Sequence, residues 1–408
     1  MPGNFRPSIL NFKKDSYIIV EGKPNADRFY IIREGKVQIS REVEAGKDGN
    51  IAGNGEMFGL ISAMTGHSYI ESAQALTNVT LLEVERKHYG DLIRTAPTIA
   101  VNTIKQFSQR LRFLDNAFSK RILKTSAGSD PSHLYNIGRF YEKNGKINHA
   151  MYSYQRYLDC CPNAVNTNEI KKRIVKMESQ IAAARPVYPS GTMVQTYPKD
   201  SLLFAEGEYG DTLYTIQSGA VKISKILNNQ EVVLAILNKG DIFGEMALLE
   251  NKPRAATAEI YEDSTLLAIN QENFSKLITE MPEMVVRLTS IMSERIWLLY
   301  RQLANTLIEN PVGRIFDALI TQLEKNGVDP NSRNSYECNF GFKELTGMAG
   351  ISEAESNKLY TQIYSTGKIV QKENKVFVDD IQAVFKEANF YRRAQKNKEN
   401  KKREKNEE

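Results

Sequence analysis

From Phe243 to Ala258 the chain reads Phe-Gly-Glu-Met-Ala-Leu-Leu-Glu-Asn-Lys-Pro-Arg-Ala-Ala-Thr-Ala. Gly244 permits a tight turn, and Glu245 to Leu249 can then form one short helix whose first N–H groups face an anion. Arg254 comes nine residues after Glu245, beyond a loop kinked by Pro253. Its planar guanidinium suits phosphate oxygens taken two at a time. Ala255 and Ala256 are small enough to bring their backbone amides against the same ligand, and Met246 and Ala247 on the short helix join the candidate set. A carboxylate and a guanidinium in one small pocket suit a ligand carrying both a hydroxyl and a phosphate, as a nucleotide does. The plainer alternative is an internal Glu245–Arg254 ion pair in a surface turn. These residue types alone leave both open.

The elements that must position this cassette occur twice, about 184 residues apart. Asp15-Ser-Tyr-Ile-Ile-Val-Glu-Gly22 and Asp27 to Ser40 in the first copy match Asp200-Ser-Leu-Leu-Phe-Ala-Glu-Gly207 and Asp211 to Ser224 in the second. Apolar residues alternate with period two, as at Val37 and Ile39 or Val221 and Ile223, between acidic-glycine corners. This is the pattern of short strands joined by tight turns. Strands recur at roughly ten-residue spacing through Val84 and Ile269, so each copy is expected to be a small antiparallel roll. A helical stripe closes each copy: Ile104, Phe107, Leu111, Leu114, Phe118 and Ile122 in the first, and Val285, Leu288, Met292, Ile296, Leu299, Leu303 and Leu307 in the second. Each stripe either covers its own roll or pairs with another helix, within one chain or in a homodimer.

The cassette and its flanking strands, over about 110 residues, resemble the phosphate-binding cassette of cyclic nucleotide-binding domains. Such domains occur in regulatory subunits of cAMP-dependent protein kinase and in the Crp/Fnr (catabolite activator) family. The resemblance implies that Glu245 holds the ribose 2′-hydroxyl and Arg254 the cyclic phosphate, with Gly244, Ala255 and Ala256 lining the anion. Relatives selective for cGMP usually carry a hydroxyl residue at the position of Ala255, so cAMP is the implied regulatory ligand over cGMP. Aligned without gaps to that family, Leu299 and Tyr300 occupy positions at the adenine end of the site, where Leu299 could give apolar cover and Tyr300 could stack on the base; the alternative is that both are interhelical core.

The first copy departs from this pattern. Over Phe58 to Ala73 it has Leu60 in place of the ribose glutamate and Tyr69 in place of the phosphate arginine. A buried phosphate would lack its compensating charge, and Glu71 would add repulsion. This copy is expected to keep the fold without the ligand. His67 and His88 stand alone and read as solvated loop positions.

Between the copies, residues 130–185 carry Leu134, Ile137, Gly138, Tyr141, Ala150, Tyr154, Tyr157 and Pro162. The set resembles a single tetratricopeptide repeat. Gly138 and Ala150 would let two antiparallel helices approach, and one repeat must lean on a neighbour to bury its face. It is either a spacer or a dock for a partner protein.

Beyond Asn310-Pro311 the order helix, helix, helix, hairpin resembles the winged helix-turn-helix of the Crp/Fnr family. Candidate DNA contacts are Ser352, Asn357, Lys358, Gln362 and the wing lysines Lys368, Lys372 and Lys375. Against that reading, Glu353 stands where the family usually has an arginine, and Glu355 is acidic too. Tyr336 to Asn389 holds six Lys/Arg against eight Asp/Glu. The alternative output is a protein contact.

The expected architecture is therefore an α+β multidomain chain. Residues 8–125 form a degenerate cyclic nucleotide-binding β-roll of jelly-roll type, and 130–185 a helical linker. Residues 190–309 form a ligand-binding roll, 310–390 a winged helix, and 391–408 a basic disordered tail. That tail, with eight Lys/Arg against four Asp/Glu, supplies most of the net charge of +5. No run of 18 apolar residues exists, so no membrane role is expected. The N-terminus has no secretory layout, so a cytoplasmic location is expected. Cys160, Cys161 and Cys338 fit neither a disulfide framework nor a metal site, and no metal is expected. No nucleophile–base pair or triphosphate loop stands out, so no enzyme activity is expected. A kinase regulatory subunit is disfavoured, because about ten residues before the first roll leave no room for an inhibitory arm.

Overall fold

The computed structural model describes residues 6–24, 26–44, 50–122, 132–178, 193–227, 230–245, 252–270, 273–274, 280, 282–351, 353–372 and 375–407. In chain order its helices are α1 (Leu60–Thr65), α2 (Tyr89–Thr95), α3 (Pro97–Ile122), α4 (His133–Lys143), α5 (Ile147–Cys160), α6 (Thr167–Glu178), α7 (Pro282–Asn305), α8 (Pro311–Lys325), α9 (Phe342–Met348), α10 (Glu353–Tyr364) and α11 (Ile381–Glu407). The chain divides into two compact units that do not follow the expected boundaries. One is Tyr89–Met292 with Met1–Gly3, and the other is Asn4–His88 with Ser293–Glu408. The division parts the first roll from α3, the helix that follows it in sequence.

The Tyr89–Met292 unit holds the second roll. Two long strands, Thr212–Leu227 and Thr257–Asn270, pair antiparallel from Thr212↔Asn270 to Ser224↔Thr257, with register shifts where they bend. The four shorter strands Val194–Tyr197, Leu202–Phe204, Gln230–Leu237 and Ile242–Phe243 complete the sheet. Its core is Tyr197, Leu203, Phe204, Ile216, Val221, Phe243, Ala258, Ile260 and Leu266. The same core strands are the ones the period-two alternation marks.

Helices α4, α5 and α6 belong to this unit too. Gly138 is where α4 comes closest to α5, since a Cβ there would lie 2.6 Å from the Tyr154 ring. Leu134, Ile137, Tyr141, Ala150, Tyr154, Tyr157, Ile170, Ile174 and Met177 share one core with Leu202, Ala205 and Ile226 of the roll. The apolar face of the insert is thus closed by the second roll. A cluster of charges runs along the join: Glu259 accepts from Lys146 Nζ at 2.9 Å, and its carboxylate lies 3.0 Å from Lys222 Nζ. Although burial raises the Glu259 pKa, the neighbouring His149, Lys146 and Lys222 outweigh it and hold the carboxyl far below its usual range.

The Asn4–His88 plus Ser293–Glu408 unit holds the first roll as two four-stranded sheets. One orders its strands Ser8–Phe12, Val79–Glu85, Arg28–Glu34 and Met57–Phe58. The other orders Tyr17–Ile19, Ser72–Ala75, Val37–Ser40 and Asn50–Ala52. Asp15 and Asp200 adopt the same left-handed backbone, φ 69° and 62°, at the equivalent corner of each copy. That agreement extends the repeat from sequence to backbone.

The C-terminal module begins at α8. Asn310 caps it, its side chain accepting from Val312 N at 2.9 Å and Gly313 N at 3.2 Å, with Pro311 in the first turn. Helices α9 and α10 follow, and the strands Tyr336–Glu337, Lys375–Val378 and Ile369–Lys372 form a small antiparallel sheet. Asp317, 2 % exposed, is the polar knot of the unit. It accepts from Asn305 Nδ2 at 2.9 Å and from Arg392 Nε, and it lies 3.5 Å from Arg301 Nη2.

The expectation of a disordered tail from residue 391 is corrected: α11 runs helical to Glu407. Its first turns are held by Val384, Phe385 and Ala388 in the module's core, by Tyr391 against Gly313 and by Arg392 on Asp317. Once packing has nucleated a helix, a Lys/Glu/Asn run without Gly or Pro continues it at little cost.

No described helix is long and apolar enough to cross a membrane. None of the three cysteines forms a disulfide, and no group of three or more metal-ligating side chains occurs among the described residues.

Candidate functional site

The second roll gathers its cassette around a buried guanidinium. Arg254 is 4 % exposed and Glu245 2 % exposed. The Arg254 backbone is pinned on both sides: its N–H donates to Glu208 O at 2.7 Å and its carbonyl accepts from Gly207 N at 2.9 Å. The side chain donates from Nη1 to Gly244 O at 2.8 Å and lies 4.1 Å over the Phe204 ring. Gly244, at φ 80°, has to be glycine on two counts, because a Cβ there would be strained and would stand 2.7 Å from Arg254 Nη1.

Electrostatically the site is an unfinished cation pocket. Burial lowers the Arg254 pKa, and the surrounding Tyr214, Glu208, Tyr152 and Glu245 act in the opposite direction. Its Nε is buried without an acceptor among the described residues. A buried charged donor without an acceptor is costly, and an anion seated there would relieve it. Ala255 and Ala256 are half-buried beside it. Met246 and Ala247 lie outside the described residues.

Two contributors were not legible in the sequence. Glu208, buried on the turn that pins Arg254, accepts from Tyr152 Oη at 2.9 and 3.0 Å and lies 3.3 Å from Arg156 Nε. Both donors come from α5 of the insert, so the turn behind the arginine is braced by the helical segment. Arg112 of α3 donates from Nη1 to the carbonyl of Pro253 at 3.2 Å. The first repeat's helix therefore serves the second repeat's roll. Periodicity places Arg112 beside a buried stripe but says nothing of which roll that stripe faces.

Tyr300 is corrected for the same reason. It does not lie at the second roll's site. Its hydroxyl donates to Glu21 Oε1 at 3.0 Å and accepts from Val43 N at 3.4 Å, both in the first roll. Trp297, three residues earlier, donates from Nε1 to Ser68 O at 3.2 Å, and its ring packs 4.2 Å from His67. His67 is held by Glu294 at 3.0 Å and is not a solvated loop residue. The gapless alignment fixes the height of Tyr300 along α7, and the direction it faces follows from which roll α7 serves.

In the first roll Leu60 and Tyr69 are buried, and Tyr69 Oη donates to Arg28 O at 3.0 Å. The expected repulsion from Glu71 is not what the structure shows. Glu71, 4 % exposed, accepts from Gly59 N at 2.7 Å and from Arg41 Nη2 at 2.5 Å.

In the C-terminal module Asn357, Lys358 and Gln362 are exposed along α10, while Ser352 lies outside the described residues. Lys375 Nζ is paired with Glu337 at 2.7 Å and Lys368 Nζ with Glu387. Lys372 Nζ sits 3.4 Å over the Phe377 ring.

Comparison with known proteins agrees with the duplicated geometry. A family described as the cyclic nucleotide-binding domain matches residues 9–96 and 194–281. The "Cyclic AMP receptor protein" of Thermus thermophilus is 29 % identical over 174 residues, which cover 42 % of this chain and 77 % of that protein. The "cAMP-activated global transcriptional regulator CRP" of Salmonella typhimurium is 31 % identical over 129 residues, covering 31 % of this chain and 61 % of that protein. Among solved structures, the Thermus thermophilus catabolite activator protein is 28 % identical with a TM-score of 0.28, covering 48 % of this chain and 89 % of that one. Two segments of the chain thus match the cyclic nucleotide-binding domain, and its relatives include proteins named as cAMP-activated transcriptional regulators.

Proposed function

We propose that the chain is a cyclic-nucleotide-responsive regulator in which the second roll takes cAMP and the C-terminal module delivers the output on DNA. The observation that carries the ligand reading is Arg254: a buried guanidinium, pinned by its backbone, with a buried Nε–H that has no acceptor among the described residues. A cyclic phosphate fits that donor, and the buried Glu245 is the acceptor for a ribose hydroxyl. Ala255 has no hydroxyl to offer guanine, which favours cAMP over cGMP. The names of the relatives support the same ligand.

Read as a winged helix, the C-terminal module would place Asn357, Lys358 and Gln362 toward base edges, with phosphates reached by Lys372. Ligand binding regulates such an output only if it favours one arrangement of the chain over another.

A second reading, a protein partner in place of DNA, draws on the pairing of Lys368 with Glu387 and Lys375 with Glu337 and on the exposed Glu355 of α10. Retention of the full chain on sheared genomic DNA, with and without cAMP across a salt series, separates the two. The DNA reading expects cAMP-dependent retention with sequence enrichment. Retention that collapses at moderate salt without enrichment identifies the basic α11 acting alone. No retention in either state overturns the DNA reading and leaves the protein partner.

A further inference from the structure

The pocket of the first roll contains an anion that the chain itself provides. Its cassette keeps the left-handed glycine, Gly59 at φ 78°, whose counterpart in the second roll is Gly244 at φ 80°. The Gly59 N–H donates to Glu71 Oε1 at 2.7 Å, and Arg41 Nη2 donates to the other carboxylate oxygen at 2.5 Å. Glu71 is buried, and the Arg41 side chain is only 14 % exposed. The arrangement is a backbone amide and a guanidinium converging on two oxygens of one buried anionic group, the same chemistry that recognises a phosphate monoanion.

The two copies differ in where the charges come from. Glu71 corresponds to Ala256, which brings no side chain to the second roll's site, and Tyr69 replaces Arg254. The cation of the first roll instead comes from Arg41, at the end of the Val37–Ser40 strand. Its counterpart Lys225 has its Nζ 3.9 Å from Glu206. Substituting the phosphate arginine alone would leave an apolar pocket with nothing to hold an anion. Here a cation is supplied from a new position together with a carboxylate that neutralises it.

We infer that the first roll retains an anion-binding centre, built from the Gly59 amide and the Arg41 guanidinium, and that Glu71 occupies it as a covalently attached surrogate for a carboxylate or phosphate ligand. The centre is closed to free ligands because its occupant, tethered two residues from Tyr69, is always at hand and loses little freedom on docking. The first roll then holds its liganded arrangement whatever the concentration of nucleotide. The last turns of α7, which rest on this roll through Trp297 and Tyr300, are held with it.

The single tryptophan of the chain reports on this roll, since Trp297 is buried and bonded to Ser68, next to Tyr69. The test uses the full chain in an Arg254→Ala background, so that the second roll's arginine contributes nothing and failure of the cAMP assignment does not affect the result. With Glu71 present, Trp297 emission and the unfolding midpoint are expected to respond alike to phosphate and to chloride at matched ionic strength. In Glu71→Ala the midpoint is expected to fall. Phosphate or acetate should restore it, with a saturable Trp297 response at least about tenfold stronger than to chloride. A phosphate-specific response with Glu71 intact would overturn the inference, as would a folded Glu71→Ala protein that ignores both anions. Should Glu71→Ala not fold even with phosphate present, Glu71→Gln carries the test. With 15N-labelled glycine, the Gly59 amide resonance is expected to move upfield when its acceptor loses charge, and an unchanged resonance would overturn the inference.

Discussion

Arg112 donates to the carbonyl of Pro253 at 3.2 Å, and Trp297 donates to the carbonyl of Ser68 at the same distance. Donor and acceptor in the second pair stand at the positions of the first shifted by 185 residues, with the roles of the repeats exchanged. Each roll's cassette is therefore capped, at the same carbonyl, by a helix from the other repeat. The duplication is symmetric in its framework and asymmetric in its chemistry: Arg254 Nε has no acceptor among the described residues, whereas the Arg41 guanidinium is met by Glu71.

Arg254→Ala should remove most cyclic-nucleotide affinity. Truncating one partner of a buried, hydrogen-bonded charge pair costs about 2–5 kcal/mol, which is a loss of at least about thirtyfold in calorimetric affinity. Ala255→Thr should raise cGMP affinity relative to cAMP. An unchanged ratio would remove the argument for cAMP made from that position.

Tyr300→Phe separates the place where Tyr300 sits from the place its alignment suggests. Loss of the bond to Glu21 should cost about 1 kcal/mol of stability, with up to about 3 kcal/mol if the carboxylate is left without a donor. The affinity of the second roll for cAMP should be unchanged. A marked loss of affinity without loss of stability would return Tyr300 to the ligand.

Stability should fall as pH rises from about 4.5 toward 7. Burial raises the pKa of Glu21 to about 7, with Glu42 adding to it, and burial raises that of Glu206 to about 7, with Asp115 adding to it. In that window the folded chain holds protons that the unfolded chain has released, so the stability they confer is full below the unfolded value and lost through the folded one. Glu21→Gln and Glu206→Gln should each flatten this slope in urea titrations and stabilise the protein at pH 8 relative to the parent. A slope unaltered by both substitutions would contradict the assignment.

Gly138→Ala should destabilise the insert. A helix interior ordinarily gains up to about 1 kcal/mol from that change, but the new methyl would lie 2.6 Å from the Tyr154 ring. Overpacking of this kind costs about 1–3 kcal/mol, enough to reverse the sign in thermal unfolding.

What the sequence showed, and what it did not, follows from the range of the interactions. The strands of both rolls, the corners at Asp15 and Asp200, the close approach at Gly138 and the Gly244–Arg254 cassette are local patterns, readable from spacing alone. The capping of each roll by the other repeat's helix is not local, so spacing alone does not tell which roll Tyr300 and Arg112 face. Glu71 read as a repulsive misfit because its partner Arg41 lies thirty residues away on another strand. The tail read as solvated because its composition hides two anchors, Tyr391 and Arg392, that carry the packing of α11 past residue 390.

Asp317 has a consequence for how force passes through the C-terminal half of the chain. Its buried carboxylate is shared by Asn305 and Arg301 from the last turns of α7 and by Arg392 from α11, while it belongs itself to α8. Breaking one partner out of such a buried set costs about 3–5 kcal/mol, more than the roughly 1–3 kcal/mol by which one site commonly influences another. The Asn310–Pro311 turn is therefore bridged by side chains on either side of it. Those contacts tie the last turns of α7, α8 and α11 into one body across the Asn310–Pro311 turn.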